Sequence, residues 1–149
     1  QSMGDCVSLS LELSGNVLTV TGDNMAATYS ADSGELIGNY SYPGTVENFD
    51  ASSSLKAFVF DDFTDDGKKT VILNDKCEVT ASIAVSADVK QIKVSGDTVF
   101  IMTESDITQY NLSLESEKKT LLTDSYSDFI TVGGSILLMG YDAVDSISM

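Results

Sequence analysis

Val7-Ser8-Leu9-Ser10-Leu11-Glu12-Leu13-Ser14-Gly15-Asn16-Val17-Leu18-Thr19-Val20 is the stretch that decides the fold. From Val7 to Ser14 apolar and polar residues alternate, and in an extended chain a period of two sends each set to its own face. Gly15-Asn16 follows, two residues that tolerate positive φ, and Val17 to Val20 then runs back. The pattern predicts a β-hairpin with a two-residue connection.

The hairpin recurs. Ile92-Lys93-Val94 leads through Gly96-Asp97 into Val99-Phe100-Ile101-Met102, and Phe129-Ile130-Thr131-Val132 leads through Gly133-Gly134 into Ile136-Leu137-Leu138-Met139. Between these, Ser52-Ser53-Ser54 precedes the run Leu55 to Phe60. The turns at Gly15, Ser54, Gly96 and Gly134 repeat about every 40 residues, a period typical of propeller blades. A second marker shares the period: Tyr29 to Leu36, Val71 to Val79 and Tyr110 to Leu122 each read as strand, polar turn, strand.

Helical periodicity is nearly absent. The expectation is an all-β, propeller-like chain of about four tandem four-stranded antiparallel blades. In the first unit the strands are expected at roughly 7–13, 17–22, 25–31 and 35–42. The second strand of each unit is the most continuously apolar, which calls for burial on both faces, as in a sheet held between neighbouring sheets. A β-sandwich is the alternative, although it does not require a regular repeat. Gln1-Ser2-Met3 reads as the remnant of an expression tag, leaving 4–149 as one domain or as a fragment of a larger propeller.

The segment Tyr29-Ser30-Ala31-Asp32-Ser33-Gly34-Glu35-Leu36 resembles the Asp-x-x-Thr-Gly-Lys-x-Leu turn of pyrroloquinoline-quinone-type (quinoprotein-like) propeller repeats, kin to WD40-like blades. That turn joins the third and fourth strands of a blade. The Trp that follows in those repeats is missing here, where Leu36 is followed by Ile37-Gly38, so other apolar side chains must dock one blade on the next. The resemblance implies a non-catalytic extracytoplasmic propeller, of a kind often membrane-anchored and used to scaffold other proteins. Nothing resembling a quinone site is present, and no cofactor is expected.

Composition narrows the partners. The chain has 149 residues, 42% of them apolar, which is enough for a core. No run reaches the ~18 apolar residues of a membrane-spanning helix. Its net charge is −15, and all eight basic residues are Lys. Nucleic acid requires a cationic face, and an anionic membrane surface repels such a chain, so neither is an expected partner. Acid of this kind also keeps β-edges from associating.

Candidate sites are few. Cys6 and Cys77 form no CxxC pair and fall at non-equivalent repeat positions, so they are expected to be unpaired. Asp61-Asp62-Phe63-Thr64-Asp65-Asp66-Gly67 suggests a Ca²⁺ loop, but Leu73 stands where the bidentate Glu belongs. A hairpin loop closed by Asp66-Gly67 is the expected reading, with no metal. His is absent, the carboxylates show no paired spacing and Ser lacks a base, so catalysis is not expected. Tyr29, Tyr40, Tyr42 and Phe49, near the sole proline Pro43, are the possible interaction surface, with inter-blade packing as the competing role. Asn39-Tyr40-Ser41 and Asn111-Leu112-Ser113 match the N-glycosylation pattern, as chance allows in a Ser-rich chain.

The expected function is a protein–protein interaction or scaffolding module, with a small-ligand or carbohydrate-binding module as the alternative. Location is expected at the cell surface or outside the cell. The last unit is expected to have strands at 128–132, 135–141 and 143–148 and to lack its outermost one. A four-blade ring would close within one chain. If the arc stays open, Val17, Val20, Leu137 and Met139 are expected to be exposed at its ends, where a homodimer could complete an eight-blade ring.

Overall fold

A computed structural model describes residues 6–42, 44–52, 55–62, 67–85 and 88–148. The tag remnant, Pro43, the Ser53-Ser54 turn and the 63–66 part of the acidic loop lie outside the described residues.

Among the described residues fifteen strands form four consecutive antiparallel sheets. Blade 1 contains β1 (Ser8–Ser14), β2 (Val17–Gly22), β3 (Met25–Ser30) and β4 (Leu36–Ser41). Blade 2 contains β5 (Gly44–Ser52), β6 (Leu55–Asp62), β7 (Gly67–Leu73) and β8 (Val79–Val85). Blade 3 contains β9 (Gln91–Ser95), β10 (Thr98–Met102), β11 (Asp106–Tyr110) and β12 (Ser116–Leu121). Blade 4 has three strands, β13 (Asp128–Val132), β14 (Ser135–Met139) and β15 (Val144–Ser148). Each is an up-and-down meander in sequence order, the architecture of propeller blades.

The first hairpin folds as its sequence dictates. Ser14 pairs with Val17, and Gly15 has φ +56 in the connection. In the acidic stretch β6 and β7 pair up to Asp62 opposite Gly67, as a hairpin requires.

Among the described residues three apolar clusters form the core, and each lies between two blades. Ala26, Tyr42, Phe58, Phe60, Val71 and Leu73 join blades 1 and 2. Ala57, Val59, Ile72, Ile92, Val99 and Ile101 join blades 2 and 3. Phe100, Met102, Phe129, Ile136 and Leu138 join blades 3 and 4, with Phe100 edge-on to Phe129 at 6.3 Å. Phe58 and Val59 are adjacent yet fully buried in different clusters. That is why the second strand of a blade reads as a continuous apolar run. Phenylalanine and tyrosine take the docking role of the missing Trp.

The two end faces differ from expectation in their residues. Val20 is 8% exposed, and Val17 shares a face with Ser14 and Glu12, on the side turned to blade 2. The exposed apolar residues of β1 are instead Leu9, Leu11 and Leu13. At the other end Met139 is exposed as expected, Leu137 is half-buried, and Ile130, Val132 and Val144 are exposed with them. A closed four-blade ring would bury these faces.

Candidate functional site

The third-to-fourth-strand turns show how blades 2 and 3 lock onto the blade before. In Asn74-Asp75-Lys76-Cys77-Glu78 the Asn74 Oδ1 accepts the backbone N–H of Lys76 and of Glu78, and Asn74 Nδ2 donates to Glu78 Oε2. Asn111-Leu112-Ser113-Leu114-Glu115 repeats every one of these bonds. The fourth residue is left-handed in both, Cys77 at φ 58 and Leu114 at φ 57, and both side chains are buried. Blade 1 has Gly34 at this place, φ +71, with nothing within 4 Å of where a Cβ would be. Asn111, in one of the two glycosylation patterns, has its amide engaged in this turn.

The Cys77 turn carries a buried polar group. Thr28 Oγ1 of blade 1 donates to the Asp75 carbonyl at 2.7 Å and lies 3.8 Å from Cys77 Sγ. Lys56, 1% exposed, places its Nζ 3.6 Å from Asp75 Oδ1. Burial pushes the Cys77 thiol pKa up, against the opposing pull of the Thr28 hydrogen bond and the Lys56 charge. The shared Asn-x-x-x-Glu spacing was the available sequence signal for both turns. Nothing in the sequence singled out Lys56.

Further polar bonds tie the later blades. Asn48 Nδ2 donates to the Val89 carbonyl at 3.1 Å, and the Val94 N–H donates to Asp50 Oδ2 at 2.7 Å. Gln91 Nε2 donates to Asp128 Oδ1 at 2.9 Å. Within blade 3, Asp106 accepts from Thr108 Oγ1 at 3.1 Å and pairs with Lys119 at 2.9 Å. Burial pushes the Asp106 carboxyl up, but hydrogen bonds from Lys119, Thr108 and Ser105 outweigh it and hold the group below its ordinary value.

The four aromatic residues singled out from the sequence do not come together on one surface. Tyr42 is buried, with its ring 5.3 Å from Phe58 and 6.4 Å from Phe60. Tyr40 lies 6.1 Å from Tyr42, and Phe49 lies 6.2 Å from Phe58. These three belong to the core between blades 1 and 2. Tyr29 pairs with Leu18 and is half-buried on the opposite side of blade 1.

Two openings are lined by mixed side chains. One of about 170 Å³ lies against Val85, Ile101, Asp106, Tyr110 and Lys119. Another of about 260 Å³ is bordered by Lys90, Ser125, Tyr126, Ser127 and Tyr141. Among the described residues no three His, Cys, Asp or Glu are placed to hold a metal ion.

The surface that stands out is the leucine face of β1. Leu9, Leu11 and Leu13 are 49%, 67% and 64% exposed, whereas Ser10, Glu12 and Ser14 on the other face of the strand are half-buried. Apolar side chains face solvent and polar ones face the protein, the reverse of a surface strand.

Solved structures share the architecture. Hsv2 from Kluyveromyces marxianus superposes with a TM-score of 0.74 at 14% identity, covering 99% of this chain and 50% of that one. The WD40 domain of Toxoplasma gondii coronin gives 0.70 at 14% identity, covering 95% and 42%. BamB from Moraxella catarrhalis gives 0.68 at 8% identity, covering 92% and 41%. The chain thus spans half or less of the length of these propellers, and identities this low speak for fold alone. No curated protein matches the sequence. Residues 12–149 match a family described as "Family of unknown function (DUF5711)", and the chain belongs to that family.

Proposed function

We propose that this chain is a non-catalytic protein-interaction or scaffolding unit, with residues 4–149 acting as one domain of an extracytoplasmic, membrane-anchored parent. The observation that carries the interaction reading is the exposed face of Leu9, Leu11 and Leu13. A contiguous apolar patch marks a protein or membrane contact, and a net charge of −15 opposes an anionic membrane. The extracytoplasmic setting is supported by the resemblance of the 29–36 turn to quinoprotein-like repeats. Ligand binding is less well served: the opening at Tyr126 and Tyr141, about 260 Å³, falls short of the ~300 Å³ at which small-molecule pockets begin.

A photo-crosslinking residue at position 11, introduced in the native cell, tests the reading. Protein adducts are expected from position 11 and not from exposed Glu117 on β12. Absence of any protein adduct at position 11 overturns it. Protease digestion of intact cells tests the location, since an extracytoplasmic domain is cut without lysis.

A further inference from the structure

The junctions between blades repeat, and the strand registers show which residues are equivalent. Ser41 pairs with Met25 and the Tyr42 N–H donates to the Asn24 carbonyl; in blade 2, Ala84 pairs with Lys69 and Val85 with Lys68. Val85 of blade 2 therefore holds the position of Tyr42 in blade 1. Phe58 pairs with Val71, Ile101 with Thr108 and Leu138 with Asp145. Counting on from these pairs, Phe60 of blade 2 matches Thr103 of blade 3 and Gly140 of blade 4.

Two junctions are plugged by a tyrosine at this place. Between blades 1 and 2 the ring of Tyr42 lies against Phe58 and Phe60. Between blades 3 and 4 Tyr126 is buried, with its Cδ1 3.7 Å from where a Cβ on Gly140 would stand. Its hydroxyl donates to Asp145 at 2.7 Å. Between blades 2 and 3, Val85 stands in place of Tyr42, and Ile101 and Thr103 stand in place of two phenylalanines. An opening of about 170 Å³ is left, lined by these three with Asp106, Thr108, Tyr110 and Lys119.

The lining suits what the neighbouring junctions hold. Val85 and Ile101 offer apolar walls to a ring. Thr108, equivalent to the Asp145 that binds the Tyr126 hydroxyl, is buried and donates to Asp106 Oδ1 at 3.1 Å, so its own oxygen can accept a proton. The volume is below the ~300 Å³ at which small-molecule pockets begin, but it is on the scale of one side chain.

We infer that the opening between blades 2 and 3 is a socket for a tyrosine side chain of a protein partner. Aromatic anchors sunk into desolvated pockets carry much of the energy of protein interfaces. The socket lies at an inner junction with a blade on either side, away from both ends of the arc. The inference rests on the reading of the chain as an interaction unit, but on a different surface from the leucine face.

The probe is p-cresol, the tyrosine side chain as a free molecule. Added to the 149-residue chain, it should shift the methyl resonances of Val85, Ile101 and Thr108 saturably. It should bind about threefold or more tighter than toluene, the low range for one neutral hydrogen bond. Thr108→Val should remove that preference and leave toluene binding unchanged. Val85→Tyr should fill the opening from within, abolish the shifts and melt no lower than wild type. No saturable shift, equal binding of p-cresol and toluene, or shifts that survive in Val85→Tyr would overturn the socket. A photo-crosslinking residue at exposed Ala84, in the native cell, tests the source of the ring. Adducts to another protein are expected, and their loss with Val85→Tyr; crosslinks confined to this chain would overturn the partner. A failed socket with protein adducts still formed at position 11 would leave the interaction reading standing.

Discussion

Gly38 of blade 1 lies under Lys76 of blade 2 so closely that a Cβ on Gly38 would come within 1.8 Å of the Lys76 carbonyl oxygen. The turn that buries Cys77 can dock on β4 only because Gly38 has no side chain. Backbone meets backbone there, so a neighbouring rotamer cannot give way.

Gly38→Ala should therefore destabilise the fold by about 3 kcal/mol, the upper range for overpacking. Gly34→Ala, which meets nothing within 4 Å and is strained only by φ +71, should cost about 1 kcal/mol. Urea unfolding of the two variants measures the difference. Equal losses would mean that blade 1 yields at this contact.

Cys6 and Cys77 are both free, but only Cys77 is buried. Its thiol pKa is raised, so little thiolate forms near pH 8 and burial blocks reagent as well. Thiol titration of unreduced protein should count one fast group in the native state and two after denaturation. Two fast groups in the native state would show that the turn at Cys77 opens freely.

The Asp106 carboxyl titrates lower in the folded state than its ordinary 3.8. Its contribution is thus fully present above that value and is lost as pH falls through the folded pKa. Asp106→Asn should lower stability at pH 7 by about 2 kcal/mol, the scale of a hydrogen bond to a charged group. The gap between wild type and variant should shrink below about pH 4. A gap that does not change with pH would assign the loss to packing.

The Tyr42 hydroxyl is buried without a hydrogen-bond partner among the described residues, while its ring packs on Phe58 and Phe60. Burial pushes its phenol pKa far up. Tyr42→Phe removes an unsatisfied polar group and should leave stability unchanged or raise it by about 1 kcal/mol. Tyr42→Ala should cost about 3–5 kcal/mol. Thermal melts of both variants decide it. A clear loss in Tyr42→Phe would reveal a bound water on the hydroxyl.

Much of the blade architecture was legible. Alternation from Val7 to Ser14, the Gly15-Asn16 turn and the repeat of about 40 residues gave the four strands of blade 1 and the three of blade 4. The run Ala57 to Phe60 foretold burial on both faces. The candidate site was less legible. The aromatic group of Tyr29, Tyr40, Tyr42 and Phe49 was visible as a group, but three of its four rings turned out to join two blades. Alternation split β1 into a leucine face and a polar face without saying which is covered, and the leucines point to solvent.

The reason lies in what each kind of information depends on. Strand period, turn residues and repeat length are set within a few tens of residues by backbone sterics and side-chain polarity, so the sequence by itself determined an all-β repeat of blades. Which face of a strand is covered depends on the neighbouring sheet, and alternation is the same whichever side is inside. Only the tertiary structure decided that Leu9, Leu11 and Leu13 stay open, that Gly38 must be glycine, and that Lys56 is buried beside Asp75. The glycine is set by the backbone of the next blade, and the Lys56–Asp75 pair by a turn further along its own blade, both beyond the strand's own hydrogen bonds.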